Sequence, residues 1–154
     1  MDWLKLVVRK WYSFWKIDRK ERTVLLQALG LLPLVAISLK FWGLRRTQNA
    51  LARLLPTPVI SQQSAERLPQ VLATARMVRV AARLSTPWAN CLKKSLVLWW
   101  LLRRQGISSN MRIGVRREQE NFVAHAWVEY DGLVLNDTQD VRSRFVMFER
   151  PILT

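Results

Sequence analysis

The segment CLKKSLVLWWLLRRQG, residues 91–106, constrains the fold more than any other part of the chain. From Leu96 to Leu102 every residue is apolar, so a helix built from it has no polar face to give to water and must be enclosed by other elements. Its start is marked by Thr86, which can cap, and by Pro87, which suits a first helical position. At its end Arg103 and Arg104 complement the helix dipole and Gly106 can take the left-handed cap. After Gly106 the period changes to two: Met111, Ile113 and Val115 alternate with Arg112, Gly114 and Arg116, and REQEN makes a polar turn. FVAHAWVEY and LVLND then flank Asp131-Gly132, a strong hairpin signal. A buried helix followed by an antiparallel sheet predicts an α+β fold.

The rest of the chain must supply the enclosure. At 154 residues there is room for one compact unit, and with 50% hydrophobic and 23% charged residues a disordered chain is excluded. Its organisation reads as an N-terminal helical region, residues 1–60, and a core, residues 65–154. The charge-free run TVLLQALGLLPLVAISL, residues 23–39, lies between Arg22 and Lys40 at the short end of the range for a membrane span. Gln27, Gly30, Pro33 and Ser38 dilute it, and Pro33 interrupts the hydrogen-bond ladder, so two buried helical pieces are expected instead of a span. Ahead of it Trp3, Val7, Trp11, Phe14 and Trp15 gather near one helical face while Lys5, Arg9 and Lys16 point elsewhere. That stripe reads as core, with an interfacial membrane helix as the alternative. LPTPVISQQS, residues 55–64, reads as a linker. Val71, Leu72, Ala75, Val78 and Ala82 then predict a helix over 69–84, with Arg76, Arg79 and Arg83 along one edge as a solvated face or a docking ridge.

Charge and cysteine content narrow the function classes. With 25 Lys and Arg against 11 Asp and Glu the net charge is +14, which favours acidic partners. No phosphate loop, zinc finger or other nucleic-acid motif accompanies that charge, so no nucleic acid is expected. One cysteine and one histidine exclude an intramolecular disulfide and a typical structural zinc site, and no metal or cofactor is expected. The segment MDWLKLVVRKWYSFWK carries charges where an export signal needs an uninterrupted apolar run, so a cytoplasmic location is expected, with peripheral membrane contact as an added feature.

Three residues can carry chemistry. Cys91 falls in the first turn of the buried helix, where free backbone N–H groups and the dipole favour an anion, the placement a nucleophilic thiolate needs. A small buried hydrophobe is the bland alternative. His125, the single histidine, sits in a strand between Ala124 and Ala126, as a base or as hydrogen-bonded structure. Asp137 is the candidate to orient it. If Tyr130, Asp131 and Gly132 form a three-residue bulged loop, Glu129 pairs with Leu133, Trp127 with Leu135, and His125 faces Asp137 at about 5 Å between Cβ atoms. A two-residue loop would shift every partner by one and send Asp137 to the other face. Alternatively Asp137 caps the N–H groups of Thr138 or Gln139.

CLKKSLVLWWLLRRQGISSNMRIGVRR followed by AHAWVEYDGLVLND resembles the leader peptidase of lasso-peptide biosynthesis, a bacterial cysteine protease on the transglutaminase-like, papain-like fold. The resemblance covers about Pro87 to Phe148 and includes the order Cys, His, Asp and the Cys-Leu, His-Ala-Trp-Val-Glu and Asn-Asp elements. It implies Cys91 as nucleophile, His125 as base and Asp137 as orienting acid, acting on a precursor peptide. It further implies a cyclase as partner, which takes the new amine, and a separate leader-recognition protein, because no strand-rich segment resembling the fused winged-helix recognition module precedes the core. A transglutaminase-like acyltransferase or amidase on the same scaffold is the alternative activity.

Overall fold

The computed structural model describes residues 17–55 and 65–148. The tryptophan-rich stripe from Trp3 to Trp15 and nearly all of the expected linker, residues 56–64, lie outside the described residues. Helix α1 spans Arg19–Arg53. Pro33 does not divide it, contrary to expectation; the break comes at Gly43, with φ 72° and ψ 177°. Leu25, Ala28, Leu32, Val35 and Ala36 are buried along one face on both sides of Pro33, and this packing carries the helix across one missing donor. At Gly43 the backbone takes a conformation that a side chain would oppose. Thr47 Oγ1 donates to the Gly43 carbonyl at 2.8 Å and meets Ser38 Oγ at 2.9 Å, which closes the kink.

Helix α2, Leu68–Leu84, buries Val71, Ala75, Val78 and Ala82 as its period predicts, while Leu72 stays exposed. Its arginine edge is partly engaged within the fold: Arg76 pairs with Glu21 at 2.5 Å and Arg79 reaches the Leu135 carbonyl at 3.5 Å. Helix α3, Cys91–Arg104, is buried at every residue from Ser95 to Leu102, as an all-round apolar segment requires. Thr86 and Pro87 do not start it. They form a separate single 3-10 turn, Thr86–Trp88, and the cap is Asn90, whose side chain accepts the Lys93 N–H at 3.0 Å. Gly106, at φ 73°, ends the helix with the Ile107 N–H bonded back to the Leu102 carbonyl at 3.0 Å.

The sheet is antiparallel in the order β3-β2-β1-β4, with β1 Asn110–Glu118, β2 Asn121–Tyr130, β3 Leu133–Val134 and β4 Val146–Met147; a short helix, α4, Val141–Arg144, precedes the last strand. Both faces are covered. Met111, Ala126, Val128 and Tyr130 join the helical core, whereas Trp127 packs with Val134, Val141 and Phe145 beneath the other face. For that reason β2 is buried without alternation from Ala126 onward.

The β2–β3 hairpin corrects the expected bulged loop. Tyr130 pairs with Leu133 and Glu129 with Val134, so the loop is only Asp131 and Gly132, both left-handed at φ 46° and 79°. A two-residue loop of this kind matches the twist of the strands, and Asp-Gly tolerates both conformations.

Glu129 anchors the second cluster. Its carboxylate accepts from Trp127 Nε1 at 2.8 Å and Arg142 Nε at 2.8 Å, with Arg112 Nε at 3.4 Å. Burial pushes this carboxyl up, but the Trp127 and Arg142 hydrogen bonds and the two guanidinium charges outweigh it and hold it below its ordinary value. A lowered folded value contributes stability at neutral pH that disappears as the pH falls through it. Thermal melts should therefore show the wild type losing stability below about pH 4, with Glu129→Gln less stable at pH 7 and flatter on acidification.

Candidate active site

Cys91 is the first residue of α3 and half-buried. Its backbone N–H is among those that a helix start leaves without an intrahelical acceptor. One turn further on, Ser95 is fully buried, and its hydroxyl donates to the Ala126 carbonyl at 3.0 Å. Asn136 Nδ2 donates to the same hydroxyl at 2.9 Å, and the Val128 N–H donates to Asn136 Oδ1 at 2.8 Å. Ser95, Ala126 and Asn136 thus form one buried polar junction. Cys91 is one helical turn from it, and His125 and Asp137 are each one residue from it.

This junction explains how Asp137 reaches His125 although the hairpin register is not the expected one. The ladder continues only to Leu135, whose N–H bonds the Val128 carbonyl at 2.9 Å. There the Asn136 side chain takes over the Val128 N–H that a further backbone carbonyl would have accepted, and the main chain leaves the sheet. Freed from the pleat, Asp137 meets His125: Oδ2 contacts Nε2 of the ring, and among the described residues no hydrogen bond engages Nδ1. Asp137 Oδ1 accepts the Thr138 N–H at 2.6 Å, so the capping alternative and the orienting one are both realised, one on each oxygen. Burial raises this carboxyl, and the Thr138 N–H together with the His125 hydrogen bond and charge more than offsets that, holding it below its ordinary value.

His125 lies on the face of Trp127 and Phe145, with its ring stacked on Phe145 at 5.1 Å between centroids. Directly across the ladder is Gly114, where a Cβ would come within 2.8 Å of Phe145 Cβ and 3.0 Å of the Trp127 ring. Gly114 therefore makes the room that Phe145 and the Trp127 ring occupy, the two rings against which the imidazole stacks. His125 and Asp137 side chains keep 25% and 19% exposure, enough for a ligand to reach them. The structure brings His125 and Asp137 into contact; among the hydrogen bonds of the described residues none joins Cys91 to the ring.

Four residues to which the sequence assigned no role at the site contribute to it: Ser95, Asn136, Gly114 and Arg144. Ser95 had a signal, since a hydroxyl at the head of an enclosed helix must find a partner. Arg144 contacts Asp137 Oδ1 at 3.2 Å and Asp140 at 3.2 Å, so the two carboxylates share a cation. Among the described residues no group of three or more His, Cys, Asp or Glu side chains could hold a metal ion.

Two substitutions test this arrangement. Ser95→Ala leaves the Asn136 amide and the Ala126 carbonyl short of a partner and should cost about 1–3 kcal/mol, seen as a lower melting temperature with the helical signal retained. Gly114→Ala should cost a similar amount, about 1–3 kcal/mol, by forcing Phe145 away from His125.

Comparison with known proteins adds a family to this geometry. Residues 31–150 match the family model described as Transglutaminase-like superfamily. No curated protein and no solved structure matches the chain. The match covers more than half of the sequence and includes Cys91, His125 and Asp137, and the α+β architecture agrees with it: the chain belongs to the transglutaminase-like superfamily.

Proposed function

We propose that the protein is a cytoplasmic cysteine peptidase that removes the leader from a ribosomally made lasso-peptide precursor. The superfamily includes cysteine proteases and acyltransferases. The observation that carries the reading is the His125–Asp137 contact, with no hydrogen bond to Nδ1 among the described residues, in a chain whose single cysteine opens the neighbouring helix. The resemblance from Pro87 to Phe148 supplies the substrate class.

In this mechanism the Cys91 thiol gives its proton to His125 Nδ1, and sulfur attacks the carbonyl at the leader–core junction. Asp137, ionised and bonded to Nε2, holds the ring in the required orientation and stabilises its charged form. The Cys91 backbone N–H donates to the oxyanion. His125 protonates the leaving amine, which frees the core peptide with a new N-terminus and leaves the leader as a thioester on Cys91. Water, with His125 as base, hydrolyses the thioester and restores the thiol. A separate recognition protein delivers the leader, and a cyclase takes the new amine.

Cys91→Ala should abolish cleavage of precursor with the melting temperature preserved, and residual cleavage above background would exclude the thiol mechanism. Asp137→Asn should lower the rate roughly tenfold to a thousandfold, since it leaves the ring without an anion while a thiolate–imidazolium pair depends only partly on its third member. Asp131→Asn removes the same charge at a turn position that tolerates asparagine and should leave the rate unchanged. Asp140 is a poorer control because it shares Arg144 with Asp137. Mass spectrometry separates the two activities, because hydrolysis adds water to the leader whereas acyl transfer joins it to an amine. At limiting precursor, addition of the recognition protein should raise the rate, and equal rates with and without it would refute the division of labour.

A further inference from the structure

Helix α1 has two apolar faces, and among the described residues only one is packed into the core. Leu25, Ala28, Leu32 and Val35 pack into the core. On the opposite side Leu26, Leu34, Ile37 and Phe41 are 56%, 62%, 47% and 72% exposed, and Gly30 is exposed between them. Positions 26, 30, 34, 37 and 41 follow helical spacing, so they form a single stripe about 22 Å long. A contiguous exposed apolar surface of this kind marks an interaction site.

The surroundings of the stripe identify its occupant. Trp42, 61% exposed, stands at its Gly43 end beside the exposed cations Lys40, Arg45 and Arg46. From Arg22 to Ala65 the sequence contains no Asp or Glu. Apolar side chains in a row, a tryptophan at the margin and cations without counter-charges are the complement of a bilayer surface whose headgroups are anionic. We infer that α1 lies in the interface of an anionic membrane, with its stripe among the acyl chains and Lys40, Arg45 and Arg46 among the phosphates. By length and composition the helix could also cross a membrane. Crossing would strip Leu25, Ala28, Leu32 and Val35 from their contacts with α2 and α3, whereas lying flat keeps them. The inference is independent of the chemistry at Cys91.

Co-sedimentation of the full chain with phosphatidylglycerol–phosphatidylcholine vesicles tests it. The wild type should bind, should weaken in high salt and should be released by alkaline carbonate. Leu34→Ser, Ile37→Ser and Phe41→Ser combined should lower binding at least roughly tenfold with an unchanged melting temperature, because all three side chains are exposed. Arg45→Gln with Arg46→Gln should remove the preference for anionic over neutral vesicles. Wild-type failure to bind, stripe variants that bind like the wild type, or retention after carbonate treatment would each overturn the proposal. So would a stripe-dependent dimer in solution without vesicle binding.

Discussion

The hydroxyl of Ser95 ties the three segments of the site together. It is buried in a helix that is otherwise apolar from Leu96 to Leu102, and it can be tolerated there only because it donates to Ala126 and accepts from Asn136. Leaving one such group without a partner costs about 1–3 kcal/mol, comparable with the loss of a buried methyl-sized contact, so slippage of α3 along β2 is resisted by a directional bond as well as by packing. The apolar core by itself has no such direction, since hydrophobic burial is indifferent to small shifts in register. Through this junction the head of α3, the strand of His125 and the loop of Asp137 have defined positions.

A second constraint acts on the opposite face of the sheet. Trp127 is held by its Nε1–H to Glu129, Glu129 is held by Arg142 and Arg112, and Phe145 fills the space above Gly114. The His125 ring rests against this aromatic wall, so its plane is restricted before Asp137 contributes. Asp137 then selects which ring nitrogen is engaged. Electrostatics and packing thus act on different degrees of freedom of one side chain.

The excess positive charge is divided between structural and exposed uses. Arg76, Arg112, Arg142 and Arg144 pair with carboxylates of the fold, whereas Lys40, Arg45 and Arg46 stand exposed in a stretch of sequence, Arg22 to Ala65, that has no Asp or Glu. The first set engages Glu21, Glu129, Asp137 and Asp140. Cations at the end of α1 are consequently left to act outward.

Much of this architecture was legible in the sequence because it depends on local periodicity. The all-round apolar run specified an enclosed helix, the change of period after Gly106 specified strands, and Gly106 ended the helix because only a residue without Cβ takes φ 73° easily. Asp131-Gly132 announced a hairpin, but not its loop length, since the same dipeptide serves both a two-residue and a bulged turn. The pairing of His125 with Asp137 was anticipated for a reason that the tertiary structure replaced. It does not arise from strand register, but from Asn136 leaving the ladder to bind Val128 and Ser95, contacts that span 8 and 41 positions. Likewise Pro33 is a local signal for a break, overridden by burial on both sides of it, while the kink falls at Gly43. Periodicity and caps are set by neighbours a few residues apart and can be read from the chain. Register, the polar junction and the exposed face of α1 depend on which distant segments meet, and that was decided only when the core closed.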